Sequence, residues 1–374
     1  METRKDKNHK ILNKKFKRVK IKKSKNISKN DKHEKRMQLK IRKNNILTPI
    51  NFKYLKDLVN DAYTHLYIDN TFILFKSIDD LIYIIYSNNK KSIIAYNLID
   101  NKKIIEIKNA HNENITNFRH YLDLEKKKNF ILSISNEDNN IKLWDIYNFK
   151  CLLNIKKAYK ESNILSACFL YDNNKIYIIT CNCYNPIKIF KLNGHIEKEI
   201  NDSNNEATFF IDVFYDNYIS NQNYIIKGNK DNLKSYDYIE NKVFNKYQYN
   251  EAKNHANAII YNTNDGIEII DSCRTGFILI WNFHSGVLLK KIYFPEFSHF
   301  DFCGIYLYNK EYLIACCSDT TIKIIELNTN KIINNLSKFT ECIVNIKKII
   351  QPKYGECLIS QDIYNKIKLW IKNI

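Results

Sequence analysis

Cysteine, histidine and the basic side chains are the residues in this chain whose chemistry could define a function. A thiolate can ligate metal or act as a nucleophile, so the ten cysteines come first. All ten lie between Cys151 and Cys357. The closest groupings, Cys181-Asn182-Cys183 and Cys316-Cys317, lack the paired spacing of a zinc site. They read as small apolar side chains packed in strands, kept reduced inside a cell. The nine histidines are scattered, and no H-E-x-x-H pair occurs. The seven glycines form no G-x-x-x-x-G-K-[ST] or G-x-G-x-x-G loop to cradle a phosphate, and no G-x-S-x-G turn presents a nucleophile. No catalytic residue, cofactor or metal is expected, and the chain reads as a non-enzyme.

Charge is the remaining chemistry. Of 59 Lys and Arg and 40 Asp and Glu, residues 1–44 hold 19 of the basic and 4 of the acidic ones, leaving the rest of the chain near neutral. The densest run contains Lys14, Lys15, Lys17, Arg18, Lys20, Lys22 and Lys23 around a single aromatic, Phe16. With so few apolar residues to offset the entropy of folding, residues 1–44 are expected to be a disordered basic arm. Two readings stand side by side. The arm is a nuclear or nucleolar address or a phosphate-backbone contact, or it is a solvated tail in a chain whose Lys, Asn, Ile and Tyr are all inflated. No apolar leader opens the chain and no apolar stretch of 18 or more residues occurs, so neither secretion nor a membrane span is expected.

Such residues need elements to position them, and a repeat supplies these. Asn140-Ile141-Lys142-Leu143-Trp144-Asp145 is a short strand with a large ring near its end. With Trp144 as column zero, the pattern recurs at Tyr96, Phe190, Tyr236, Trp281, Ile325 and Trp370, at steps of 48, 46, 46, 45, 44 and 45 residues. Three residues earlier stand Ile93, Ile141, Ile187, Leu233, Ile278, Ile322 and Ile367. Two residues earlier, lysine appears at 142, 188, 234, 323 and 368. Turn formers follow five residues after column zero. A fixed period of roughly 40–45 residues points to a propeller or array. Each period holds four β-branched or aromatic runs and no helical periodicity.

In Leu143-Trp144-Asp145, and in the turn and strand 318–325, the chain resembles the WD40-repeat family over about residues 65–374. The expected fold is all-β: a seven-bladed β-propeller of four-stranded antiparallel blades. Seven sheets around an axis bury faces that one sheet could not, and column zero wedges between blades. Residues 45–63 are expected to be a transition, with a short helix over Phe52–Val59. The propeller is expected to fill 64–374. Only four residues follow Trp370, so an N-terminal strand is expected to complete the last blade, as it often does in the family, with Thr64–Asp69 as the candidate.

The resemblance also implies roles. In the family a His, a Ser or Thr, the Trp and an Asp share a hydrogen-bond chain within one blade. Here the matching set is His111, Ser133 or Ser135, Trp144 and Asp138, and its role is structural because no partnered nucleophile accompanies the His-Asp pair. Thr275 stands where that Asp would precede Trp281, and Tyr184 where it would precede Phe190. The rim of turns between second and third strands is the expected binding surface, with Asp138, Lys230, Asp231, Arg274 and Asp319 near it. The expected function is an intracellular scaffold, nuclear, nucleolar or cytoplasmic: a monomeric propeller that binds protein partners within a larger complex. The alternative is a ribonucleoprotein or ribosome assembly factor whose arm contacts RNA; one aromatic is thin for base stacking, so the contact would be to phosphate.

Overall fold

Short runs rich in isoleucine, tyrosine and phenylalanine set the local structure, because branched and aromatic side chains fit a pleated, half-buried surface. A computed structural model describes residues 50–60, 62, 71–77, 80–88, 91–123, 127–160, 162–182, 186–201, 208–294, 304–317, 319–337, 341–364 and 366–373. Among them the strands form seven four-stranded antiparallel sheets, with no helix. Six sheets follow chain order from innermost to outermost strand: residues 72–107, 115–155, 164–200, 208–247, 255–293 and 305–337, here blades 1 to 6. Blade 7 takes three strands from residues 343–372. The first strands of successive blades lie side by side around the axis. The architecture is a seven-bladed β-propeller.

The last blade is completed by Phe52–Val59, which pairs antiparallel with Ile367–Lys372. This replaces the helix expected there. Leu55 and Leu58 have helical spacing, but Phe52 and Val59 are the residues that become buried, and the Tyr54 ring meets Trp370 edge-on at 5.8 Å. Pairing with a strand some 300 residues away overrides local pattern in so short a segment. The compact body accordingly starts at Ile50 rather than at 64. Thr64–Asp69 lies outside the described residues, as do residues 1–44.

Column zero has a structural signature in every blade. Beside Tyr96, Trp144, Phe190, Tyr236, Trp281, Ile325 and Trp370 the fourth strand carries one extra residue, a β-bulge. A bulge sharpens the local twist, which lets the large ring lean onto the preceding blade. Seven hydrophobic clusters result, one at each blade interface. Trp144 joins blade 1 residues Ile85 and Ala95, and Trp370 joins blade 6 residues Ile314 and Ile324. The turns expected five residues later are also present. Asn101, Phe149, Asn241, Gly286 and Asn330 all have φ between 52° and 69°. In blade 3 the left-handed residue is Gly194, one place before His195.

Candidate functional sites

The polar set of blade 2 assembles inside the blade. His111 Nε2 and Trp144 Nε1 both lie 2.8 Å from Ser133 Oγ. Of the two serines, Ser133 takes this place; Ser135 is buried one pleat further along the strand. Asp138 accepts the Asn112 backbone N–H at 3.1 Å and that of Asn140 at 3.1 Å. His111 Nδ1 stands 3.6 Å from Asp138, an electrostatic pairing longer than a hydrogen bond. Burial disfavours the Asp138 carboxylate, yet the facing His111 and the Asn112 N–H outweigh it and hold its pKa to about 2. Burial also lowers the pKa of His111. His111 and Ser133 are buried, and the set ties the turn before the first strand to the second and third strands of the blade.

Other blades rebuild the same bracing with different residues. In blade 3, Tyr159 takes the histidine's place and bonds Thr180 Oγ1 at 2.9 Å; Phe190 needs no acceptor. In blade 7, Trp370 Nε1 donates to Ser360 at 2.8 Å. In blade 5, Thr275 Oγ1 accepts the Lys253 N–H at 3.0 Å, doing for that turn what Asp138 does for its own. Tyr184 lies outside the described residues.

The lysine column is structural too. Lys142 and Lys188 donate to the carbonyls of Ala110 and Ala158, while Lys323 and Lys368 pair with Asp319 and Asp362 at 2.9 and 3.2 Å. Lys234, Lys323 and Lys368 are buried.

The five expected rim residues all fall in turns between second and third strands, hence on one rim. Asp138 and Asp319 are largely committed to their own turns, Asp319 through Thr321 and Lys323. Asp231 pairs with Lys253 at 2.7 Å. Arg274 lies 4.8 Å over the Phe209 ring, and its N–H is held by the Asn254 carbonyl. Lys230 is exposed. The arm lysines and Arg18 lie outside the described residues.

The opposite mouth, formed by turns between first and second strands, carries a different surface. A groove of about 650 Å³ opens across blades 2 to 4 between Tyr121, Phe169, Tyr171, Tyr215 and Ile239, with Asn221, Gln222 and Asn223 along one side. Tyr171, Tyr215 and Ile239 are exposed, as are Tyr218 and Ile219 in the adjoining turn. That turn is rigid: buried Asp216 accepts the N–H groups of Tyr218, Ile219 and Ser220, and His284 Nε2 of blade 5 lies 3.0 Å from it. Burial opposes ionisation of Asp216, but these hydrogen bonds hold its pKa well below the usual range. Within the channel, a second cavity of about 460 Å³ is lined by Arg119, Asp212, Asn257 and Lys347 among apolar residues. Sequence reasoning placed binding on the other rim. Its available signal was an aromatic near the end of three successive first strands, Tyr121, Tyr171 and Tyr215.

Sequence reasoning also passed over a buried trio in blade 5. His255 Nδ1 lies 2.7 Å from Asp271 Oδ2 and 3.4 Å from Cys273 Sγ. The described cysteines are free thiols. Cys168, Cys181, Cys316 and Cys357 are buried on strands, as expected of apolar packing; Cys183 lies outside the described residues. No described helix is long and apolar enough to cross a membrane. Neither a protein-family model nor a curated protein sequence matches the chain. The architecture therefore defines its class, a seven-bladed β-propeller with two unlike mouths.

Proposed function

We propose that the protein is a propeller of the WD-repeat type that works as a non-enzymatic platform inside the cell, holding a protein segment within a larger complex. The aromatic groove at the mouth of blades 2 to 4 carries this reading. Isolated exposed apolar residues are ordinary, but a contiguous set around a concave opening marks an interaction site. Tyrosine is suited to the role, since it offers a rigid ring and a hydroxyl at low entropic cost. Gln222 and Asn223 are engaged by Tyr224, Asp237 and the Tyr171 carbonyl, so exposed Asn221 is the flanking amide placed to bond an extended segment. Free thiols on the strands are in keeping with a reducing compartment.

The test is affinity capture from native lysate, treated with nuclease, using the full chain. Tyr171→Ala with Tyr215→Ala, and separately Ile239→Asp, alter exposed side chains and leave the core intact. The proteins held by the unaltered chain are expected to be lost from both variants and kept by a Lys230→Ala variant of the other rim. Capture of the same proteins by every variant would overturn the groove as the docking surface. Partners that vanish on nuclease treatment would overturn the protein-platform reading and favour RNA contact.

A further inference from the structure

Blade 5 departs from the arrangement shared by blades 2, 3 and 7 at three neighbouring positions; blades 1, 4 and 6 carry Tyr86, Lys227 and Ala315 at the first of them. The position two residues past the one facing column zero on the second strand is Ser133 in blade 2, Thr180 in blade 3 and Ser360 in blade 7. In blade 5 it is Asp271. The residue that starts the first strand is Ile115, Ile164 or Ile343 in those blades, and His255 in blade 5, directly opposite Cys273. Across from Asp271, where blades 2, 3 and 7 carry a lysine, stands Leu279. An acid has entered the blade and the ammonium has left it. In blade 7 the buried Asp362 still has Lys368 at 3.2 Å; among the described residues, Asp271 pairs with no lysine or arginine.

The trio is fully buried, with His255, Asp271 and Cys273 each at 0% exposure. The nearest group to Asp271 that can carry positive charge is His255, at 2.7 Å, and burying a carboxylate is costly unless it is fully paired. Two polar atoms of the trio, Asp271 Oδ1 and His255 Nε2, have no hydrogen-bond partner. A catalytic relay would use both ring nitrogens, one toward the nucleophile and one toward the acid. Here thiol and carboxylate converge on the same Nδ1, and no solvent reaches it. Convergence of one N, one S and a carboxylate, all within 4.8 Å, is instead what a cation requires.

We propose that His255 Nδ1, Cys273 Sγ and the Asp271 carboxylate form a structural zinc site in the core of blade 5. A mixed imidazole, thiolate and carboxylate set suits zinc. With zinc bonds of about 2.0 Å to nitrogen and 2.3 Å to sulfur in a tetrahedron, N and S lie about 3.5 Å apart; the observed 3.4 Å already fits. The 2.7 Å N–O separation must open by about 0.6 Å to admit the ion. Oδ1, now without a partner, can make a second, longer contact to the ion, giving a distorted site of three protein ligands.

The proton balance is simple. The metal-free thiol is kept protonated by burial and by Asp271. Binding forms the Zn–S bond and releases that proton to solvent, and the ring binds through Nδ1 as a neutral imidazole with its proton on Nε2. One dication with one thiolate and one carboxylate is neutral, so the site replaces the missing lysine without leaving buried charge.

The experiment uses untagged full-length protein. Elemental analysis after purification is expected to find about one zinc per chain, and cobalt exchanged into the site should give a thiolate-to-metal charge-transfer band. Asp271→Asn and Cys273→Ala are expected to lower the metal content at least tenfold. A chelator should lower the melting temperature of the unaltered chain and leave that of any variant that folds unchanged. A folded, unaltered chain that takes up neither zinc nor cobalt would overturn the site, whatever the variants do. Full metal content in both variants would place the ion elsewhere and overturn it equally.

Discussion

Removing the strand Phe52–Val59 isolates the contribution of ring closure. The comparison is between a chain starting at Ile50 and one starting at Ala62. The longer form keeps every contact described above. The shorter loses two buried side chains, Phe52 and Val59, and the edge-on contact of Tyr54 with Trp370. Burial contributes about 1.5–3 kcal/mol per large apolar side chain, and an aromatic pair adds about 0.5–1.5 kcal/mol. The loss is then about 4–7 kcal/mol, comparable with the whole stability of an ordinary domain. It also leaves Ile367–Lys372 as an unpaired edge, which templates association. Light scattering behind size exclusion, with a thermal melt, reads both effects. The form from Ile50 should be monomeric and cooperative; that from Ala62 should aggregate or melt far lower. The point variant Phe52→Ala, costing about 3–5 kcal/mol, should fall between them. Two monomeric forms with the same melting temperature would refute the closing role of this strand.

Two further outcomes follow from the bracing sets. Trp144→Phe removes the donor to Ser133, whereas Trp281→Phe removes an indole N–H that has no partner. The first should cost about 1–2 kcal/mol more than the second in urea denaturation, and equal costs would refute the bracing role. Stability should also fall with acid in two steps. Burial lowers the pKa of both His111 and His120, so the unfolded chain binds protons first; their contribution is full above about 6.5 and is lost below it. Asp138, held to about 2, adds stability that is full above about 4 and lost by pH 2, on the order of 2 kcal/mol. Asp138→Asn should flatten that lower step in a urea midpoint series, and an unchanged profile would refute it.

What the sequence made legible is what packing repeats. Column zero is visible because one steric task, wedging a ring against the previous blade, recurs seven times. The left-handed turn residues are visible because few side chains tolerate positive φ. Phe52–Val59 was not legible as a strand because only its end residues are deeply buried, and its partner lies at the other end of the chain. The aromatic groove was hidden for a related reason. Tyr121, Tyr171 and Tyr215 belong to three blades, and only closure of the ring sets them around one opening. His255, Asp271 and Cys273 follow no ligand spacing in the sequence, because the register of two strands places the histidine opposite the cysteine.

The variation among blades explains why blade 5 stands out. Blades 2, 3 and 7 each satisfy a hydroxyl at the same buried position. Blade 2 does so with His111 and Trp144 on Ser133, blade 3 with Tyr159 on Thr180, and blade 7 with Trp370 on Ser360. In each case a neutral hydroxyl bonds a neighbouring side chain, and the nearby lysine is held by a carbonyl or carboxylate. While His111 Nδ1 has no hydrogen-bond partner of its own, those substitutions keep the shared hydroxyl bonded, as drift under a packing constraint would. Blade 5 does the reverse. It keeps the indole but leaves its N–H unpaired, places a carboxylate where a hydroxyl served, carries Leu279 where the lysine stood, and leaves Asp271 Oδ1 and His255 Nε2 without hydrogen-bond partners. Unpaired buried groups each cost about 1–3 kcal/mol. A dication would take the lysine's place and give Asp271 Oδ1 a partner, which makes the buried acid and the lost ammonium coherent together.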